Sequence, residues 1–211
     1  MLENGRLSGS LDQPELDFVE REATPKFLMK LSIQLHLSGL SLSNTVSVLE
    51  LFGVERARST VHNWIHKADL QPTSGKNPDH LAVDETVIQL NDERYWLYAA
   101  VDPETNELLY TSLEPTTNTG LAEVFLATLS EKHDVADAVF LIDGAHSLQA
   151  ACHRAGYDFR YEKHGNRNAV EHVFREIKRR TICFSNCFSN ATAETADDWI
   201  SSLSFAWNQL I

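Results

Sequence analysis

Between residues 80 and 115 the chain reads as three strands whose connections are too short for anything but an antiparallel meander. HLAVDETVIQL (80–90) and RYWLYAAVD (94–102) flank an Asn91-Asp92-Glu93 turn, and Pro103-Glu104-Thr105-Asn106 leads into LLYTSLEP (108–115). Runs rich in β-branched and aromatic residues between such turns predict strands, and turns this short join antiparallel neighbours. The pattern then changes. An amphipathic helix is expected over about 119–133, with Leu121, Val124, Phe125 and Leu129 inward. AVFLIDGA (138–145) is a short apolar run of the kind that fills a central strand. A brief helix over 147–155 ends at Gly156, and YDFRYEK (157–163) reads as a fifth strand. Residues 168–181 form a strong helix with Val170, Phe174 and Ile177 inward, and 193–210 a last helix burying Trp199, Leu203, Ala206 and Trp207. A meander joined to two crossover-linked strands predicts a mixed α/β sheet covered by helices on both faces.

Ahead of this region the periodicity is purely helical. Phe27, Leu28, Leu31 and Leu35 share a face. Ser41 or Ser43 can cap a second helix with Leu42, Val46 and Leu49 inward, ended by Gly53. A third helix begins near Ser59-Thr60 and repeats Val61, Trp64, Ile65 and Ala68. Three short helices with a glycine turn before the last fit a helix-turn-helix. Its outward residues, Arg58, His62, Asn63, His66 and Lys67, suit phosphates and base edges. On spacing alone a plain three-helix bundle with a solvated face fits equally well; the local charge favours DNA. The expected division is an acidic arm (1–25), a helix-turn-helix unit (26–70), a Pro- and Gly-containing linker (71–79) and a mixed-sheet domain (80–211).

Charge is unevenly spread. The chain of 211 residues carries a net −12, yet residues 26–76 are net +3 and 163–180 net +4, against −12 over 77–162. Two basic islands in an acidic chain point to local contacts with a polyanion. No apolar run approaches the ~18 residues of a membrane span, and the N-terminus lacks a signal-peptide layout, so a cytoplasmic protein without a membrane partner is expected. Three cysteines, Cys152, Cys183 and Cys187, form an odd set; with His164 and His172 they do not supply the four well-placed ligands of structural zinc, and reduced thiols are expected.

Three acids are not placed like surface residues. Asp84 interrupts an apolar strand, Asp143 ends the run Val139–Ile142 and Glu171 adjoins inward-facing Val170. Sites in open α/β sheets gather at the carboxyl ends of central strands. With the first and fourth strands as neighbours, all three converge. Converging carboxylates repel without a cation, and oxygen-only donors select Mg²⁺ or Mn²⁺. A pair of such ions serves phosphodiester chemistry. Taken singly, Asp84 also reads as a bulge acid and Asp143 as a helix cap. Arg175 and Lys178 follow Glu171 on the same helix face, where they can bracket a DNA backbone or simply support Glu171.

Assembled, these residues resemble the DDE transposases of the IS6 family of insertion elements, particularly halophilic archaeal members. The resemblance runs from about Pro25 to the C-terminus, on LSGLSLSNTVSVLELFGVERARSTVHNWIHK, LAVDETVI, FLIDGA and HGNRNAVEHVFREIKRRT. It implies an RNase H-like core, a catalytic, metal-binding triad of Asp84, Asp143 and Glu171 with Lys178 as the associated basic residue, and two Mg²⁺ or Mn²⁺ ions. The DNA contacts expected are Arg58, Ser59, Thr60, His62, Asn63, His66, Lys67, Arg175 and Lys178. The activity implied is cleavage at terminal inverted repeats and strand transfer to target double-stranded DNA by a homodimer or larger assembly. Only 27 residues separate Asp143 from Glu171, fewer than bacterial members usually show; a short connection after the fifth strand accounts for this. Two other readings are an inactive DNA-binding copy acting as a regulator and an RNase H-type nuclease, the latter disfavoured by a fused major-groove reader. Thirty acids against 18 bases, with 11 arginines to 7 lysines, suggest a halophilic host, where a Debye length near ~3 Å weakens acid–DNA repulsion.

Overall fold

The computed structural model describes residues 24–162, 165–181 and 187–209. The expected acidic arm, all but Thr24 and Pro25, lies outside these, as do His164 and Cys183. The elements are α1 (Lys26–Leu37), α2 (Leu42–Leu51), α3 (Arg58–Ala68), β1 (His80–Leu90), β2 (Glu93–Val101), β3 (Leu108–Glu114), α4 (Thr119–Lys132), β4 (Val139–Ile142), α5 (His146–Ala155), β5 (Phe159–Tyr161), α6 (Asn168–Thr181), β6 (Cys187–Phe188) and α7 (Ala193–Asn208). A 3-10 turn, Gly165–Arg167, leads directly into α6.

The sheet runs β3-β2-β1-β4-β5, with β6 also on β1. The first three strands are antiparallel, and β4, β5 and β6 continue in parallel. This is an RNase H-like core, preceded by a helical region. Alternation along β1 sends Leu81 and Val83 to one face and Ala82, Ile88 and Leu90 to the other. α4 and α5 cover the first face through Ala122, Phe125, Leu126, Leu129, Leu148 and Ala151. α6 and α7 cover the second, through Val170, Val173, Phe174, Ile177, Trp199 and Ile200. The edge strand β3 is sealed by α7: the Leu113 N–H donates to Asp197 Oδ1 at 3.0 Å and Leu108 exchanges two hydrogen bonds with the Asn208 amide. Unpaired edge groups would otherwise invite another strand.

Several local expectations needed correction. In α1 the inward residues are Leu28, Met29, Ile33 and Leu37, while Phe27 is 65% exposed. In α4 they are Ala122, Phe125, Leu126 and Leu129, with Val124 outward. Both helices have apolar residues on more than one face, so periodicity alone leaves the rotation open and the packing partner fixes it. β5 is three residues long and exposed at each, and the short β6 was not foreseen.

Leu28, Ile33, Leu37, Leu49, Val61, Trp64 and Ile65 of α1–α3 join α6, α7 and the sheet in one continuous core. Arg180, buried in the last turn of α6, donates from Nε to the Leu37 carbonyl at 3.2 Å, and so fastens α6 to the end of α1. No helix of the described residues is long and apolar enough to cross a membrane.

Candidate active site

The paired ladder between β1 and β4 ends at Ala82 and Leu141. Two residues further along each strand come Asp84 and Asp143, so matched register delivers both acids to the place where the strands part. Farther on, β1 pairs with β6 at Gln89 and Leu90, which leaves the middle of β1 open on that side. Asp143 Oδ1 accepts the Ala145 N–H at 2.7 Å, a local turn bond that fixes its side chain before α5. Its other oxygen is left to face the site.

Glu171 arrives from the first turn of α6, and the 3-10 turn just ahead of that helix supplies a residue the sequence reading passed over. The guanidinium of Arg167 bonds Asp84 Oδ2, stands 3.4 Å from Asp143 Oδ2 and lies 3.5 Å from Glu171 Oε1. All three acids therefore meet at one side chain, itself only 9% exposed. Gly165 makes this approach feasible. Its φ of +89° belongs to the left-handed region, and a Cβ there would stand 2.6 Å from Glu162 Oε1. That same oxygen accepts the Asn166 N–H, closing the turn that aims Arg167 inward.

Burial dominates the electrostatics. It pushes the Asp84 carboxyl up to about 6 despite the opposing pull of Arg167. Neighbouring Glu85, also missed, is pushed up to about 7 by burial and then by the charges of Asp84 and Asp143. Glu85 Oε2 and Arg167 Nε are buried with no hydrogen-bond partner. One monovalent cation thus faces an excess of carboxylates. Among the described residues no three His, Cys, Asp or Glu side chains stand close enough to share a metal as they are. The donor set nonetheless fits a hard divalent ion: the oxygens are all carboxylate, and their common focus already holds a positive charge. What does not fit is simultaneous occupation of that focus by the guanidinium.

Lys178 extends the same face, donating from Nζ to Thr86 Oγ1 at 2.7 Å, next to Asp84 on that side of β1. Arg175 is exposed between Glu171 and Lys178 along α6. On α3, Arg58, Ser59, His62, Asn63 and Lys67 are exposed and Thr60 half-buried. His66 is half-buried: Nδ1 lies 3.4 Å from Asp198 of α7 and Nε2 3.2 Å from His62 Nε2. Burial, then the adjacent His66, holds the His62 imidazole below its usual pKa. The connection between α2 and α3 spans residues 52–57, longer than the ~3–4 residues of a tight helix-turn-helix. Gly53 (φ +73°) ends α2 with Val54 N–H returning to the Leu49 carbonyl, and Ala57, just before α3, is extended. An apolar cleft of about 270 Å³ lies nearby, lined by His36, His62, His66, Phe188 and Trp199; none of the three acids lines it. Cys152 is buried and its thiol is pushed up to about 12, which removes it as a nucleophile.

No protein-family model matches the sequence. The chain is 29% identical over 181 residues to an uncharacterized protein of Methanocaldococcus jannaschii, covering 82% of each. Among solved structures it is similar to the catalytic core domain of BIV integrase, with a TM-score of 0.44, 16% identity and coverage of 60% of this chain and 82% of that one. It is also similar to the catalytic domain of Mos1 mariner transposase, with a TM-score of 0.39, 12% identity and coverage of 91% and 94%.

Proposed function

We propose that this protein is a DDE transposase, a divalent-metal-dependent polynucleotidyl transferase that cleaves DNA at the terminal inverted repeats of its element and joins the freed 3′ ends to target DNA. The observation that carries the reading is the meeting of Asp84, Asp143 and Glu171, from three separate elements, around a single positive charge. Carboxylates brought this close repel one another unless a cation stands between them.

In this reading Asp84, Asp143 and Glu171 hold Mg²⁺ or Mn²⁺. Bound there, a pair of ions would activate the attacking oxygen and stabilise the leaving one. The protein's own side chains do the rest. The Asp143–Ala145 bond keeps one acid from rotating, and burial of Asp84 excludes water from the base of the site. Lys178 and Arg175, on the acid-bearing helix, would hold the phosphate backbone across the carboxylates, since a strand approaching bare acids would be repelled. Arg58, Ser59, Thr60, His62, Asn63 and Lys67 at the start and outer face of α3 would read the repeat, with His66 partly engaged by Asp198. Two ends must be held at once, so a dimer or larger assembly is expected on DNA.

A second reading, a DNA-binding regulator without chemistry, is favoured by the guanidinium closing the acid cluster. Strand transfer separates the two. The substrate is a labelled duplex carrying the terminal repeat, in molar KCl with Mg²⁺ or Mn²⁺, with native protein and Asp143→Asn. Metal-dependent joining by native protein alone supports the transposase; specific binding with no joining by either supports the regulator.

A further inference from the structure

We propose that Arg167 is a built-in counter-cation: in the metal-free protein it occupies the place of the divalent ion, holds the three acids together, and must withdraw before metal can enter. The inference rests on the reading of Asp84, Asp143 and Glu171 as metal ligands, and adds a competitor encoded in the chain itself.

Three observations support it. The guanidinium touches all three acids, so it sits at their focus rather than beside one of them. Its charge is too small for the task, one positive charge among Asp84, Asp143 and Glu171. A divalent ion balances such a cluster better, and carboxylate oxygens are its preferred donors. The guanidinium is also incompletely satisfied, because Nε is buried without a partner. A fully bonded buried arginine is held firmly by its partners; one with an orphaned donor is held less so. Its withdrawal has a path. Arg167 stands at the end of a three-residue turn whose first two residues, Gly165 and Asn166, are exposed. The turn can swing outward without unpacking α6, whose buried residues begin at Val170.

Competition makes a prediction opposite to that of an ordinary brace. Removing a brace loosens the ligands and weakens metal binding. Removing a competitor strengthens it, while leaving the metal-free protein with unneutralised acids. Mn²⁺ is the probe, titrated without DNA and followed by the resonance of the free ion, with thermal melts recorded in chelator and in saturating Mn²⁺. The full chain is used as native protein, Arg167→Gln, Arg167→Lys and Arg167→Gln with Asp143→Asn.

Arg167→Gln is expected to bind Mn²⁺ about tenfold or more tightly than native protein and to melt lower in chelator. Its gain in Tm on adding Mn²⁺ should be the larger, since a ligand of the native state stabilises according to its affinity. A Gln variant that folds only with Mn²⁺ gives the same answer. Arg167→Lys, which keeps a charge but cannot fork across three carboxylates, should fall between the two. If Arg167→Gln is folded and binds Mn²⁺ no more tightly than native protein, the counter-cation is overturned and the metal site stands. Should the Gln variant not fold under either condition, unchanged or weaker affinity in Arg167→Lys overturns it equally. Undiminished binding in the double variant, or no Mn²⁺ bound by any of them, overturns the metal site itself.

Discussion

The two basic islands have the same signature in the sequence and opposite fates in the fold. Along α3, Arg58 and Lys67 both reach the surface. Around α6, Arg167 and Arg180 turn inward, one onto the acids and the other onto Glu176 and the end of α1. Among the described basic residues of that region only Arg175, Lys178 and Arg179 remain exposed. A local surplus of positive charge describes composition, and the packing decides how much of it faces solvent. The deciding pattern is the apolar stripe Val170, Val173, Phe174 and Ile177. Arg167 lies three positions before its first member and Arg180 three after its last, so both prolong the buried face. A long arginine is suited to such ends, since its stem packs while its fork finds partners.

If that contrast is right, damage to the inner island should fall on chemistry and stability, and damage to the outer one on DNA recognition. The largest effect is expected from Asp143→Asn. Loss of a ligand oxygen should lower strand transfer by ~10³-fold or more, at about 1.4 kcal/mol per decade, while fluorescence anisotropy finds terminal-repeat affinity within about twofold. Parallel loss of binding would erase the distinction between the islands. Next comes Arg180→Ala, which leaves Glu176 without one buried partner and Leu37 without its donor; unfolding in urea should show a loss of about 3 kcal/mol. Arg179→Ala, on the exposed side of the same glutamate, should leave the midpoint where it is. Coincident midpoints for the two variants would put Arg180 back on the surface.

On the outer island, Asn63→Ala is expected to cost about 1–3 kcal/mol of binding to the terminal repeat and little against random duplex. Lys67→Ala should weaken both alike and flatten the salt dependence by about one unit. Native protein that binds both duplexes equally would remove the reading role from α3. The smallest effect belongs to neither island. Burial pushes Asp197 up to about 6 from an ordinary 3.8, although it accepts the Leu113 N–H. The folded state therefore holds this proton more tightly than the unfolded one. Its contribution to stability is full below about pH 4 and is lost as pH rises through about 6. Asp197→Asn keeps an acceptor for Leu113 and should remove ~1–2 kcal/mol of that slope, allowing for partial exposure. An unchanged difference between urea midpoints at pH 4.5 and 7.5 would refute the assignment.

Much of this was legible in the sequence because strand and helix periodicities are hard to confuse over long stretches. The limits of β1 and α6 read correctly, and the order of the elements left one economical sheet. Asp84 and Asp143 could be expected near one another because parallel neighbours carry equal steps past their last pair to the same level. The rotations of α1 and α4 could not be read, since Phe27 and Val124 look as apolar as the residues that replace them inside. Arg167 was hidden for another reason: a buried charge is identified by its partners, and apart from exposed Glu171, four positions on, those lie 83 and 24 positions away along the chain. Glu85 was masked by Asp84 beside it. β6 is two residues long, below any periodicity, and is held by pairing with the far end of β1.

The bond from Arg180 to Leu37 joins the helix carrying Glu171 to the helices expected to grip DNA, and both sides of that joint share one apolar core. Such a molecule has no slack between those helices and the one that bears the acid. Tension applied through α1–α3 would be felt at α6, and in an optical trap the two halves should give way in a single rip rather than one after the other.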